Sequence, residues 1–204
     1  MPFLDPAQPL ATCESDSCTG CEVSQKIHCH FRPLDLAHFL IICLPGFLLA
    51  GAAILGQSWW WFLLWLAIVV TYFGLVEIRV MCSHCPHYAE QGSTLSCWAN
   101  HGSPKLWKYR PGPMSGMEKL VFFSGFLAVW GYPLVFFIWA GTWLLLLVYL
   151  ISVTGFFMTL LLFFCTRCMN FACPLNRVDQ DTRREFWRRN PQVGAAWEGK
   201  TGAI

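Results

Sequence analysis

Residues 36–78 read LAHFLIICLPGFLLAGAAILGQSWWWFLLWLAIVVTYFGLVEI. The stretch is almost wholly apolar, broken by a Gly56-Gln57-Ser58 corner, and its one charged residue is Glu77 near the end. A hydrocarbon layer of about 30 Å takes about 20 helical residues to cross. The stretch therefore divides into two spans, 36–56 and 59–78, with a turn too short to do more than reverse the chain. Residues 120–140 and 142–164 repeat the pattern around an Ala140-Gly141-Thr142 corner. The reading is an all-α integral membrane protein: four transmembrane helices as two helical hairpins, each returning to the side it left. As soluble helices they would have no polar face to turn to water.

Composition agrees. Hydrophobic residues make up 55 % of the chain and charged residues 13 %, about half the charge of a soluble domain. The net charge of +2, with no basic stripe on a recognisable nucleic-acid fold, gives no sign of a nucleic-acid partner. The first 33 residues lack the apolar core of a signal peptide, so the N-terminal segment is expected to stay in the mature protein.

All 14 Lys and Arg fall on one side of this plan: before the first hairpin, between the hairpins, or after the second. The positive-inside rule then puts both termini and the central loop in the cytoplasm. The corners on the far side carry no charge. Trp59, Trp60, Trp61, Trp139 and Trp143 gather there, where indoles favour the interface. The chain divides into a cytoplasmic Cys-rich segment (1–33), hairpin 1 (34–80), a cytoplasmic loop with a C-x-x-C (81–118), hairpin 2 (119–164) and a cytoplasmic tail (165–204). Pro45 and Pro133 occupy similar mid-span places in the first helix of each hairpin, where proline removes a helical hydrogen bond.

Of 11 cysteines only Cys43 falls within a span, where it reads as a small buried hydrophobe. The other ten form three cytoplasmic groups: Cys13, Cys18, Cys21 and Cys29; Cys82, Cys85 and Cys97; Cys165, Cys168 and Cys173. The cytosol keeps thiols reduced, so such density reads as metal-binding or catalytic rather than as disulfides. Cys82-x-x-Cys85 and Cys165-x-x-Cys168 each begin where the second helix of a hairpin leaves the membrane. Residues three apart share a helical face, so four sulfurs are expected to converge if those helix ends are neighbours. Such an all-sulfur set suits zinc or iron–sulfur.

Cys165-x2-Cys168-x4-Cys173-Pro174 resembles the clustered cysteines with a trailing proline of ferredoxin-type sites, and Cys85 likewise precedes Pro86. Cys13-x4-Cys18-x2-Cys21 has the opening spacing of plant-type [2Fe–2S] ferredoxins, although Cys29 follows far sooner than their fourth ligand. Zinc is the alternative, because a four-cysteine knuckle orders segments too small to bury a core. His28, His30, His84 and His87 crowd the cysteines and offer an imidazole in place of a thiolate.

Other constellations carry less. Cys97 and His101 share the central loop, as a Cys–His nucleophile would. A Cys-rich loop between the second and third of four helices resembles the layout of membrane palmitoyltransferases, whose Asp-His-His-Cys motif is missing. The basic, aromatic stretches 105–113 and 183–189 read as anchors on anionic lipid, or as docking points for a soluble partner. Glu77 and Arg79 are expected to pair with each other or with neighbours at the headgroup level. Paired intramembrane histidines for haem, a P-loop and a mid-span charge relay are all lacking.

The expectation is a membrane-bound iron–sulfur protein passing electrons between a cytoplasmic redox partner and another membrane component. Cys82, Cys85, Cys165 and Cys168 would form one site and Cys13, Cys18, Cys21 and Cys29 a second, with Cys97 and Cys173 in reserve. A zinc-stabilised scaffold and a thiol-dependent enzyme or soft-metal carrier are the alternatives. Nothing in the sequence fixes whether the chain is catalytic.

Overall fold

The computed structural model describes residues 8–201; the outermost parts of the N-terminal and C-terminal segments, 1–7 and 202–204, lie outside the described residues. Within them the protein is all-helical, with no strands. In chain order the helices are α1 (Glu22–Lys26), α2 (Pro33–Leu55), α3 (Trp59–Thr71), α4 (Glu77–Val80), α5 (Gly116–Trp139), α6 (Trp143–Thr159), α7 (Gln180–Arg189) and α8 (Pro191–Thr201). A π-helical turn, Tyr72–Val76, joins α3 to α4, and another, Leu160–Phe164, extends α6. Four helical stretches are long and apolar enough to cross a membrane: Pro33–Leu55, Trp59–His84, Gly116–Trp139 and Trp143–Phe164.

The helices begin earlier than hydropathy alone places them, because polar residues start them. Pro33 opens α2, where a missing N–H costs nothing and the fixed φ suits a first turn. Ser115 opens α5 in a reciprocal cap: its hydroxyl accepts from the Glu118 N–H at 3.3 Å, and the Glu118 carboxylate accepts from the Ser115 N–H at 2.8 Å. Ser58 caps α3 by accepting from the Trp60 N–H.

Inside the bundle the packing is aromatic. Phe47, Trp65, Trp130, Phe156 and Phe157 form a connected set, with Phe47 to Trp130 at 4.8 Å and Trp130 to Phe156 at 5.4 Å between ring centres. α2 packs on α6 along its length, and also on α3 and α5. Pro133 leaves the carbonyl four residues back, that of Val129, without its helical donor. Trp65 of α3 fills the gap, donating its indole N–H to Val129 O at 3.0 Å. Tyr149 of α6 donates to the next carbonyl, Trp130 O, at 2.7 Å. In lipid no water is at hand to serve such groups, so this cross-helix donation is what lets a proline sit in mid-span.

Gly125 marks the closest approach of α5 to the π-helical turn. A Cβ built there would lie 1.8 Å from Cε2 of Tyr72, and Tyr72 donates its hydroxyl to Phe122 O at 2.8 Å. At one end of the bundle lie the two corners with their exposed tryptophans. At the other, the N-terminal segment, the central loop and the chain after Phe164 pack together: His28 N donates to Arg167 O, Asn170 Nδ2 to Met81 O, and Glu14 N to Arg189 O. The tail helix α7 presses Phe186, 1 % exposed, against Phe171 in an apolar cluster with Leu10, Val23 and Ile27. Its apolar face is thus spent on protein, not offered to lipid as the sequence led us to expect.

Two substitutions test this packing. Gly125→Ala has no room and is expected to cost about 1–3 kcal/mol, read as a lower melting temperature in detergent. Trp65→Phe keeps most of the ring but strands the Val129 carbonyl, for about 1–3 kcal/mol; Trp60→Phe, at an exposed corner, leaves the melting temperature unchanged.

Candidate functional site

Where the bundle meets the packed loops, one cavity of about 250 Å3 is lined by Cys82, Cys85, Cys97, Cys165, Cys168 and Cys173. The four cysteines of the two C-x-x-C motifs are therefore brought together, and the two that the sequence held in reserve join them as full members. Cys43 of α2 lines the same cavity between Phe39 and Phe47. Residues at i, i+4 and i+8 share a helix face, so its place in a span did not make it inert filling.

The motifs do not present their sulfurs from α-helix, as expected. Pro86 excludes the helical conformation from the residue before it, and Cys85 is extended, with φ −78° and ψ 138°. Cys82 opens a single 3-10 turn, Cys82–His84, that Cys85 closes. Cys165 continues the π-helical ladder, its N–H donating to Leu160 O at 2.7 Å, and the chain turns away before Cys168.

Backbone N–H groups point at these sulfurs in a repeated way. The N–H two residues on donates to the sulfur at Cys85 (from His87), Cys97 (Ala99), Cys168 (Asn170) and Cys173 (Leu175). Cys97 takes a second from Asn100 N at 3.2 Å. The trailing prolines at 86 and 174 hold two of these turns in shape. Such donors favour a thiolate, yet burial opposes them. It pushes the thiols of Cys97 and Cys168 up to about 12, that of Cys165 up to about 11, and those of Cys85 and Cys173 well upward. The charges of neighbouring cysteines add to this at Cys85, Cys97, Cys168 and Cys173. Donors are in place for thiolates that cannot form without a compensating positive charge.

Three asparagines hold the segments around the cavity. Asn100 Nδ2 donates to Cys82 Sγ at 3.2 Å and to Glu77 Oε2 at 3.4 Å. Asn170 reaches Met81 O, and Asn176 Nδ2 donates to Cys168 O and Asn170 O. Trp98 lies between Phe39 and Phe164, with ring centres 5.4 and 4.8 Å away, and so pins the central loop over α2 and the end of α6. Sequence reasoning passed over these residues; Asn and Trp in a loop give no signal of what they hold.

Glu77 is buried against Asn100. Arg79 instead faces Glu118 at 3.7 Å, together with His84 at 3.5 Å and Arg110 at 2.7 Å. His101 stacks on Phe31 at 3.9 Å. The Cys97 sulfur takes its hydrogen bonds from backbone, with its thiol held neutral. An activated nucleophile needs the opposite environment. His87 lines the cavity and is buried, and its pKa is held down to about 3 by burial and then by the charges of His30 and Lys105. It is a neutral imidazole at physiological pH.

The N-terminal cysteines make a second group. Cys29 is buried; its thiol is pushed up to about 12 by burial and then by the charges of Cys18, Cys21 and Cys13. Arg189 donates to Cys21 Sγ at 3.5 Å. Cys29 and Cys85 belong to one apolar cluster with Met169 and Phe171, and His28, beside Cys29, lines the cavity. The two groups are adjacent. Among the described residues no three His, Cys, Asp or Glu side chains stand as a ready-made ligand set for a single metal ion.

No family model matches the chain, and no curated protein or solved structure is matched by it.

The raised thiol pKa values predict slow alkylation. In reduced, metal-free protein at pH 8, iodoacetamide should modify Cys97 and Cys168 at least about a hundredfold more slowly than a free cysteine of ordinary pKa, since only the thiolate reacts. Peptide mass spectrometry after timed quenching reads each site. Equal rates would mean that the thiols are solvated.

Proposed function

We propose that this protein is a membrane iron–sulfur protein of two helical hairpins, with termini, loop and thiols on the cytoplasmic side. It passes electrons between a cytoplasmic redox partner and a component of the membrane. The observation that carries the reading is the ring of six cysteines around one cavity, four of them with a backbone N–H aimed at sulfur. Hydrogen bonds to the sulfurs, burial and solvent exclusion are the levers that set a cluster's potential. Cys85, Cys97, Cys168 and Cys173 are the first-choice ligands because each has such a donor. The remaining pair, Cys82 and Cys165, lie at the same wall. Cys13, Cys18, Cys21 and Cys29 would hold a second centre beside the first, facing the partner.

A space of about 250 Å3 between thiols favours a cluster over zinc. Zn–S bonds of about 2.3 Å set tetrahedral sulfurs roughly 3.8 Å apart and leave no cavity among them. A bound cluster supplies the positive charge that the buried thiols lack and makes them thiolates. The one-sided distribution of Lys and Arg supports the orientation, and the reducing cytosol supports ligation over disulfides.

Anaerobically purified protein should be brown, with iron and acid-labile sulfide in comparable amounts and a visible band bleached by dithionite. Cys85→Ser and Cys168→Ser should each lose most of the iron of one centre, and Cys43→Ser should lose none. Colourless protein with stoichiometric zinc would replace the cluster by a structural ion.

A further inference from the structure

The cavity does not end at the thiols. Its walls run from Phe39 to Phe47 along α2, from Phe73 to Met81 across the π-helical turn, and from Phe122 to Trp130 along α5. Eight residues at 1.5 Å each make about 12 Å. A shaft therefore leads from the sulfurs toward the middle of a hydrocarbon layer about 30 Å thick. Phe39, Phe47, Phe73, Phe126, Trp130 and Phe156 wall it, so its cross-section suits a flat ring. Near the sulfur end Glu77 lines it, 6 % exposed. One oxygen of its carboxyl accepts from Asn100; the other has no hydrogen bond among the described residues. A buried ionisable group inside a membrane span is costly and is kept for function, and an acyl chain filling the shaft would have no use for one.

We propose that the shaft binds the ring of a membrane quinone, which exchanges electrons with the thiol-held centre. The inference rests on the iron–sulfur reading and names the membrane component in it. A low-potential one-electron donor protein in the cytoplasm reduces the centre twice, and the centre passes the two electrons on, one at a time. Both quinone C=O groups become C–OH, the two protons coming in turn from water at the Asn100 loop by way of Glu77. The sum is quinone plus two electrons plus two protons giving hydroquinone, with two donor molecules oxidised.

Cys43, part-way down the shaft, reports occupancy whether or not a cluster is present. The full chain in nanodiscs is treated with N-ethylmaleimide, with and without decylubiquinone, whose fully substituted ring cannot itself add a thiol. The quinone should slow Cys43 alkylation at least tenfold, and decanol at equal concentration should not. In dithionite-reduced, cluster-loaded protein freed of excess reductant, decylubiquinone should reoxidise the centre with saturation. Glu77→Gln should slow that step at least tenfold while leaving iron content and Cys43 protection intact. Cys43→Phe, which fills the shaft, should abolish saturation with iron retained; Phe156→Trp, narrowing the opposite wall, is the second blocking variant.

Equal protection by decanol, or none by quinone, overturns the proposal, as does reoxidation that does not saturate and ignores all three variants. Colourless protein whose Cys43 is still protected by quinone alone would sink the iron–sulfur reading while keeping the quinone site.

Discussion

The arrangement depends on asparagine side chains that stand in for secondary structure at the end of the bundle. Past Val80 and past Phe164 the helices stop, and the chain must bury irregular backbone at the rim of an apolar core. Each unpaired N–H or C=O there is expensive. Asn170 serves the carbonyl of Met81 from the other half of the chain, and Asn176 braces the Cys168 turn from within its own segment. Asn100 ties a thiol and a carboxyl to the central loop. Remove these contacts, and three stretches of chain have no reason to meet where they do.

The same end of the molecule sets polar donors against apolar surroundings. Backbone N–H groups face the sulfurs, while burial and mutual repulsion keep those sulfurs neutral. In a purely structural pocket the donors would be idle, because a neutral thiol is a weak acceptor. They become strong partners once the sulfur is ionised. The site is preorganised for a charge state that the protein cannot reach unaided, and this asymmetry makes ligation the most economical reading of the cysteines.

Much of the fold was legible in the sequence. The four spans follow from length and apolarity, and their early starts follow from Pro33 and Ser115, whose capping habits are local. Grouping cysteines across the two halves also came from spacing, since both C-x-x-C motifs begin at helix exits. What stayed hidden is tertiary. Cys97 reaches the cavity only because Trp98 wedges between Phe39 and Phe164, a contact spanning distant parts of the chain. Cys43 looked like any small residue in a span, because its face matters only once the neighbouring helices leave a gap beside it. The tail helix looked membrane-bound because its amphipathic pattern does not say which apolar surface it will meet.

Both helices that lead into the C-x-x-C motifs pass through a π-helical turn just before them. Such a turn holds one residue more than the α-helix it interrupts, and each residue advances an α-helix by about 100°. Deleting one position within 72–76 would let the helix wind regularly and would swing everything after it by nearly a third of a revolution. Cys82 and Cys85 would then face away from the shaft with their sequence intact. The aim of the sulfurs is in this sense stored as a count, one surplus residue per helix, and the two halves of the molecule keep the same tally.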